Sequence, residues 1–279
     1  MDTLQTSTPA RLHHLHLTSG NPGRLSQFYA RLLEYSPSQA EDGTYMLSGG
    51  QRQLLISGGP DCAVSYTAFA VENVEKLEKL RNRLTAALGK VESVRSPLFS
   101  EGSFAIHDPQ GRRIVFGTAR RQSHPDARPG RLQHAVFQTT ELQPLLEFYV
   151  DKVGFAISDK VLNDDGSLAV FFIRSDDEHH SLAFFLGSKN ELDHHAYETG
   201  GWNDIRDWGD RFAAERIPMF WGPGRHGPGN NLFFMVNDVD GNKLELSAEL
   251  ETMKPDQAPR VWPNTEYTLN SWGSAWMRS

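Results

Sequence analysis

The chain is poor in several features that would each have named a class of protein. It has one cysteine in 279 residues, Cys62, which excludes an internal disulfide and a multi-cysteine zinc site and fits a reducing cytosol. It has no surplus of positive charge: 28 Lys and Arg stand against 35 Asp and Glu, a formal net charge of −7. A nucleic-acid binder would show a basic face, so no nucleic-acid partner is expected. No apolar run approaches the roughly 18 residues of a membrane-spanning helix. The opening MDTLQTSTPA has neither a basic start nor an apolar centre, so it does not read as a signal peptide. These absences lead to the expectation of a soluble cytoplasmic protein. The length suits two domains, each able to bury its own core.

What the chain does have is internal repetition. RLHHLHLTS (11–19) resembles RLQHAVFQT (131–139), and each precedes a helical pattern. Apolar residues share one helix face at Leu25, Phe28, Tyr29 and Leu32 in the first half, and at Leu142, Leu145, Leu146 and Tyr149 in the second. DPQGRRIVFG (108–117) resembles DVDGNKLELS (238–247), and YTAFAVENVEKLEKL (66–80) resembles HHAYETGGWNDIRDW (194–208). The polar, Pro- and Gly-containing stretch 120–130 reads as a linker. It divides the chain into residues 1–122 and a larger part, 123–279, with a C-terminal extension. Each half divides again into strand, helix, then two or three strands. The expectation is an α+β fold of four βαβββ modules, paired into two open barrels with one set of strand side chains facing inward.

Comparing strand positions across the repeat sets His134 against His14, His195 against Thr67 and Glu245 against Val115. The second barrel thus offers two histidines and a glutamate where the first offers His, Thr and Val. Two imidazoles and one carboxylate form the facial triad of non-haem Fe(II) sites and leave open coordination positions. Each member alone has an ordinary explanation: a core histidine, or a glutamate facing solvent between Leu244 and Leu246. Their joint occurrence at matching strands selects His134, His195 and Glu245 as metal ligands.

HHSLAFF (179–185), HHAYE (194–198), GRHGPGNN (224–231) and DVDGNKLELSAE (238–249) resemble the type I extradiol ring-cleaving dioxygenases of the vicinal-oxygen-chelate superfamily. The resemblance covers both halves and is specific in the second. It implies Fe(II), with Mn(II) as a substitute, and cleavage of a catechol-type ring beside its vicinal diol by O2. Position by position it assigns His134, His195 and Glu245 to the metal, His180 to the acid–base histidine, and His226 to the histidine that hydrogen-bonds the substrate. His226 sits in WGPGRHGPGNN (221–231), whose glycines and prolines suit a rigid loop that a ring can approach closely.

Two positions depart from the family pattern. Met235 stands where many members have a pocket tyrosine, and Gly229 stands where an acidic residue is common. With no hydroxyl at 235, either Tyr197 or His194 takes the substrate proton, or the substrate is not a simple catechol. Strand alternation counted from His180 adds Leu182 and Phe184 to the pocket, and Phe172 is expected beside them. Trp272 and Trp276 in the tail pack on the barrel, cover its mouth or join a subunit contact. Related enzymes self-associate, so a homo-oligomer is expected by analogy. The alternatives are a hydroquinone- or aminophenol-cleaving relative, a metal-dependent isomerase completed by a fourth ligand, and a non-catalytic binding protein of the superfamily.

Overall fold

The structure is a computed structural model that describes residues 8–120, 130–254 and 257–277. The first half runs β1 (Arg11–Ser19), α1 (Pro22–Leu32), β2 (Ser36–Gln39), β3 (Tyr45–Gly49), β4 (Arg52–Gly58), β5 (Ala63–Ala70), α2 (Val74–Leu88), β6 (Glu92–Ser93), β7 (Phe104–His107) and β8 (Arg113–Gly117). The second repeats the order: β9 (Leu132–Thr139), α3 (Gln143–Glu147) continued by a wide turn over Phe148–Val153, β10 (Ala156–Leu162), β11 (Leu168–Arg174), β12 (Leu182–Leu186), β13 (Glu191–Thr199), α4 (Trp202–Ala214), β14 (Met219–Arg225), β15 (Leu232–Asn237) and β16 (Lys243–Ala248). The extension adds β17 (Arg260–Pro263) and the short α5 (Glu266–Leu269). This is the expected set of four βαβββ modules. The boundary expected at 122/123 lies outside the described residues, as does nearly all of the linker.

Each half forms one sheet, in the order β2-β3-β4-β1-β5-β8-β7-β6 and β14-β15-β16-β13-β9-β12-β11-β10-β17. The central strands β1 and β5 pair antiparallel, and so do β9 and β13. Each central strand is flanked by a parallel partner, β4 and β8 in one sheet, β12 and β16 in the other. Every sheet therefore has a face covered by helices and a concave face. The apolar stripes of the helices reach the first face as their periodicity requires. Leu25, Phe28, Tyr29 and Leu32 of α1 are buried there, as are Ile205, Trp208 and Phe212 of α4. Asn73 caps the start of α2 by accepting from the backbone N–H of Lys76, and Gly89 ends the helix at φ 78°.

The halves exchange polar contacts in a pseudo-symmetric way. Tyr29 of α1 donates its hydroxyl to Asp238 of the second half at 2.8 Å, and Tyr149 of the second half donates to Asp108 of the first at 3.2 Å. Asp108 and Asp238 are the matching aspartates of the DPQG and DVDG repeats, and each also accepts backbone N–H bonds from its own turn. Tyr29 Oη also lies 2.9 Å from His195 Nε2. Removing the hydroxyl with Tyr29→Phe leaves two buried polar groups short of a partner. We expect a loss of about 1–3 kcal/mol in unfolding free energy by urea titration. A change below about 0.5 kcal/mol would show that these groups find other partners.

Candidate metal centre and cavity

On the concave face of the second sheet three strands meet in register. Ala196 of β13 pairs with His134 of β9 on one side and with Glu245 of β16 on the other, while His194 pairs with Val136. Residues two apart on a strand share a face, so His134, His194 and Glu245 all point into the concavity. One donor atom from each lies within 4.8 Å of the others, and all three residues are buried. His134 Nε2 is 3.6 Å from Glu245 Oε1, and His194 Nε2 is 3.3 Å from Glu245 Oε2.

The surroundings suit a divalent cation. Burial pushes the His134 pKa down to about 3, which keeps its ring neutral and able to donate a lone pair. His194 Nδ1 contacts Asp193 at 2.5 Å, the carboxylate–histidine arrangement that orients an imidazole with Nε2 toward a metal. Asn231 donates to Glu245 Oε1 at 3.2 Å and to Ser247 at 3.0 Å, which holds the carboxylate in place. Three protein donors on one side leave the cavity side open, as a reactive rather than a structural site requires.

The cavity above the triad encloses about 520 Å³, part of it open to solvent. His180 and His226 join its polar end, with Asn231. Val136, Val170, Phe172, Ala183, Phe185 and Leu269 form its apolar wall, and among the described residues no lysine or arginine lines it. His180 lies with its ring centroid 4.3 Å from that of His134 and 5.1 Å from that of Phe172. Burial, reinforced by the neighbouring His134, His179, His226 and His194 rings, holds its pKa well below the usual histidine value. His226 stacks on Phe233 at 3.8 Å with planes 4° apart, and its Nδ1 meets the carbonyl of Leu269. The glycine-rich segment makes that position possible. WGPGR is the second part of β14, and a Cβ on Gly224 would lie 2.4 Å from Asn270 Oδ1. The extension can press against the strand only because that atom is missing.

Five expected positions need correction, and four share one cause; one of these, Leu182, is buried in the core and does not line the cavity. His195 is not in the triad. It lies on the helix-covered face beside Tyr29, is fully buried, and has its pKa lowered to about 3 by burial. Tyr197, two residues on, shares that face and packs near Tyr35 and His195, away from the cavity. Phe184 also points to the core, between Phe171 and Tyr149, with Phe137 stacked on it at a longer distance. A one-residue error of phase moves a whole strand's side chains to the opposite face. For β12 the error arose because His180 precedes the strand, so alternation does not carry from it to Leu182; Ala183 and Phe185 face the cavity instead. Met235, the fifth, is on the concave side opposite Glu245, but it packs with Trp221 and Phe233 and does not line the cavity. Phe172 lines the cavity as expected.

Sequence reasoning gave His194 a pocket role and missed its place in the triad. The repeat alignment itself was right: His195 does match Thr67, since each sits opposite the residue after the aligned histidine. The residue matching His194 is Tyr66, so the first half presents His14, Tyr66 and Val115. There the concavity is filled by Leu55, Ala68, Leu98, Phe99, Ala105 and Val115. His14 is partnered by His13 and Ser96.

The paired βαβββ fold brings two histidines and a glutamate together under an apolar cavity, an arrangement that could hold a metal ion. Residues 131–246 match the family model described as the Glyoxalase/Bleomycin resistance protein/Dioxygenase superfamily. The chain is 30% identical over 185 residues to metapyrocatechase 2 of Cupriavidus necator, a match covering 65% of this chain and 53% of that protein. It thus spans about half the length of that relative. It is 28% identical over 291 aligned positions to the manganese-dependent 2,3-dihydroxybiphenyl 1,2-dioxygenase of Geobacillus genomosp. 3, covering 94% of this chain and 92% of that one. The fold matches the crystal structure of homoprotocatechuate 2,3-dioxygenase from Arthrobacter globiformis with a TM-score of 0.82 at 20% identity, over 96% and 89% of the two chains.

The corrected triad separates two adjacent histidines by experiment. His194→Ala should abolish stoichiometric Fe(II) or Mn(II) in protein loaded without oxygen and analysed by mass spectrometry, while His195→Gln should keep its metal and lose stability. Metal retained by the first and lost by the second would restore the original assignment.

Proposed function

We propose that this chain is an extradiol dioxygenase that opens the ring of a catechol beside its vicinal diol with O2. The observation that carries the reading is the triad His134, His194 and Glu245, roofed by a cavity that, among the described residues, adds the imidazoles of His180 and His226. The triad would hold Fe(II) or Mn(II); a manganese-dependent relative supports the second choice. When bound, the ion supplies chelation of the diol, a lowered pKa for its hydroxyls and a position for O2.

The protein's own groups do the rest. His226, fixed between Phe233 and the Leu269 carbonyl, stands where it can orient a hydroxyl of the substrate. His180, buried beside His134, is the group to hold and move a proton during turnover. With Tyr197 on the other face and His194 in the triad, neither takes the place of the missing tyrosine at Met235. His180 and His226 are the titratable groups left in the cavity wall. Phe172, Phe185, Val136 and Val170 exclude water from the ring. Among the described residues the wall has no lysine or arginine, which suits a catechol with an apolar substituent and opposes one with a carboxylate, because a buried, unpaired charge costs several kcal/mol. The homo-oligomer belongs to this proposal, and exposed Val261, Tyr267, Trp272 and Met219 offer apolar surface for it. So does a cytosolic location; among the described residues no helix is long and apolar enough to cross a membrane.

Oxygen uptake and ring-fission absorbance, measured on anaerobically loaded protein, test the reading. We expect turnover of alkyl- or aryl-substituted catechols, with kcat/KM at least about 100-fold lower for a carboxylate-bearing catechol. No oxygen uptake with any catechol by metal-replete protein would reject it. His180→Gln should keep the metal and substrate affinity and lose about 10²- to 10⁴-fold in kcat. Loss of metal in that variant would contradict the role.

A further inference from the structure

The cavity above the triad does not end at its apolar wall. Along β9 the step from His134 to Val136 advances about 7 Å away from the triad. Val136 stands level with Ala183 of β12, and Ala183 with Phe172 of β11. One further step of two residues along those strands brings Val170 of β11 opposite Phe185 of β12. Together with Leu269 of the extension, these two residues line both the first cavity and a second chamber of about 610 Å³, part of it open to solvent. The two spaces therefore adjoin at a collar of three apolar residues.

The C-terminal extension builds the far wall of the outer chamber. Asn264, just past β17, donates its backbone N–H to the Leu162 carbonyl at 2.9 Å and its side-chain amide to Asn163 Oδ1 at 2.8 Å. Both asparagines line the chamber, and Leu186 and Met277 stand with them. Those two apolar side chains are 47% and 40% exposed, so the outer side meets water. Among the described residues no charged side chain lines this chamber. At the collar Val170 and Leu269 are only partly buried, which leaves apolar surface for a ligand to cover.

We infer that the two chambers form one site for a catechol carrying a long, uncharged apolar chain. The ring sits at the triad, the chain passes between Val170, Phe185 and Leu269, and its end reaches the amides of Asn163 and Asn264. The inference rests on the dioxygenase reading for the ring. It goes beyond that reading in fixing the direction and length of the substituent, and it makes the extension a determinant of specificity. A methyl group stays within the first cavity. Each methylene that passes the collar exchanges water for apolar wall.

Isothermal titration tests this with full-length protein loaded with Mn(II), kept free of oxygen, and offered 3- and 4-n-alkylcatechols from methyl to decyl. In one of the two series the dissociation constant should fall about two- to fourfold for each added carbon, and the gain should stop once the chain end reaches open water. Asn264→Trp changes an exposed position and fills the outer chamber. It should lower the ratio of octylcatechol to methylcatechol affinity at least about tenfold. Asn163→Trp tests the same loss from the β10 side. Affinity that does not rise with chain length overturns the inference, and so does a ratio unchanged in both variants. Affinity that climbs with length and collapses in Asn264→Trp, in protein that takes up no oxygen with any of these catechols, would keep the two-chamber site and remove the dioxygenase reading. Oxygen uptake with methylcatechol and no gain with length would keep that reading and remove the outer chamber.

Discussion

The site depends on the alternation of side chains along the central strands of the second sheet. β9, β13 and β16 are hydrogen-bonded so that His134, Ala196 and Glu245 form one row across them. The small Ala196 in the middle lets the imidazole and the carboxylate on either side lean toward a common point, and His194, two residues back on the same face, completes the set. Shift β13 by one residue and His195 and Tyr197 enter the concavity while His194 turns to the helices. The register is held by groups on the opposite face. His195 is tied to Tyr29, which in turn donates to Asp238, and Tyr197 is buried against Tyr35. The polar residues that look most catalytic on this strand thus serve as the fastening that aims their neighbours.

The same fastening explains why two halves are needed when one carries the chemistry. Tyr29 comes from the first helix of the first half, so half of the clamp on β13 is supplied across the pseudo-symmetric contact. The first half has kept the fold and filled its own concavity with Leu55, Phe99 and Val115. Its His14 survives as a relic position held by His13 and Ser96, without a carboxylate opposite. The two concavities thus differ: one is packed with apolar side chains and the other holds a cavity.

Much of this was legible in the amino-acid sequence. Repeats of length, helix faces and the paired DxxG turns gave the four modules, because periodicity and turn chemistry are local. His134 and Glu245 were legible as candidates from matching strands of the repeat, His180 and His226 from the family resemblance, and Phe172 from its place on the preceding strand. The phase of β13 was not legible. His194 and His195 are chemically identical neighbours, and nothing local says which face is concave; the answer lies in Tyr29, 166 positions away. Phe184 failed for a related reason, since the irregular segment before β12 breaks the count from His180. The contact between β17 and Asp159 was invisible because a four-residue edge strand carries no periodicity of its own, and Asp159 is 101 residues distant from Arg260.

The most direct test of the central claim is an anomalous-scattering map from crystals of the protein loaded with Mn(II) or Fe(II) without oxygen. The account predicts a single strong peak within bonding distance of His134 Nε2, His194 Nε2 and one Glu245 oxygen, with its open side toward Phe172 and His226. A peak at His195, or a fully loaded ion bound elsewhere with the three side chains unengaged, would contradict it.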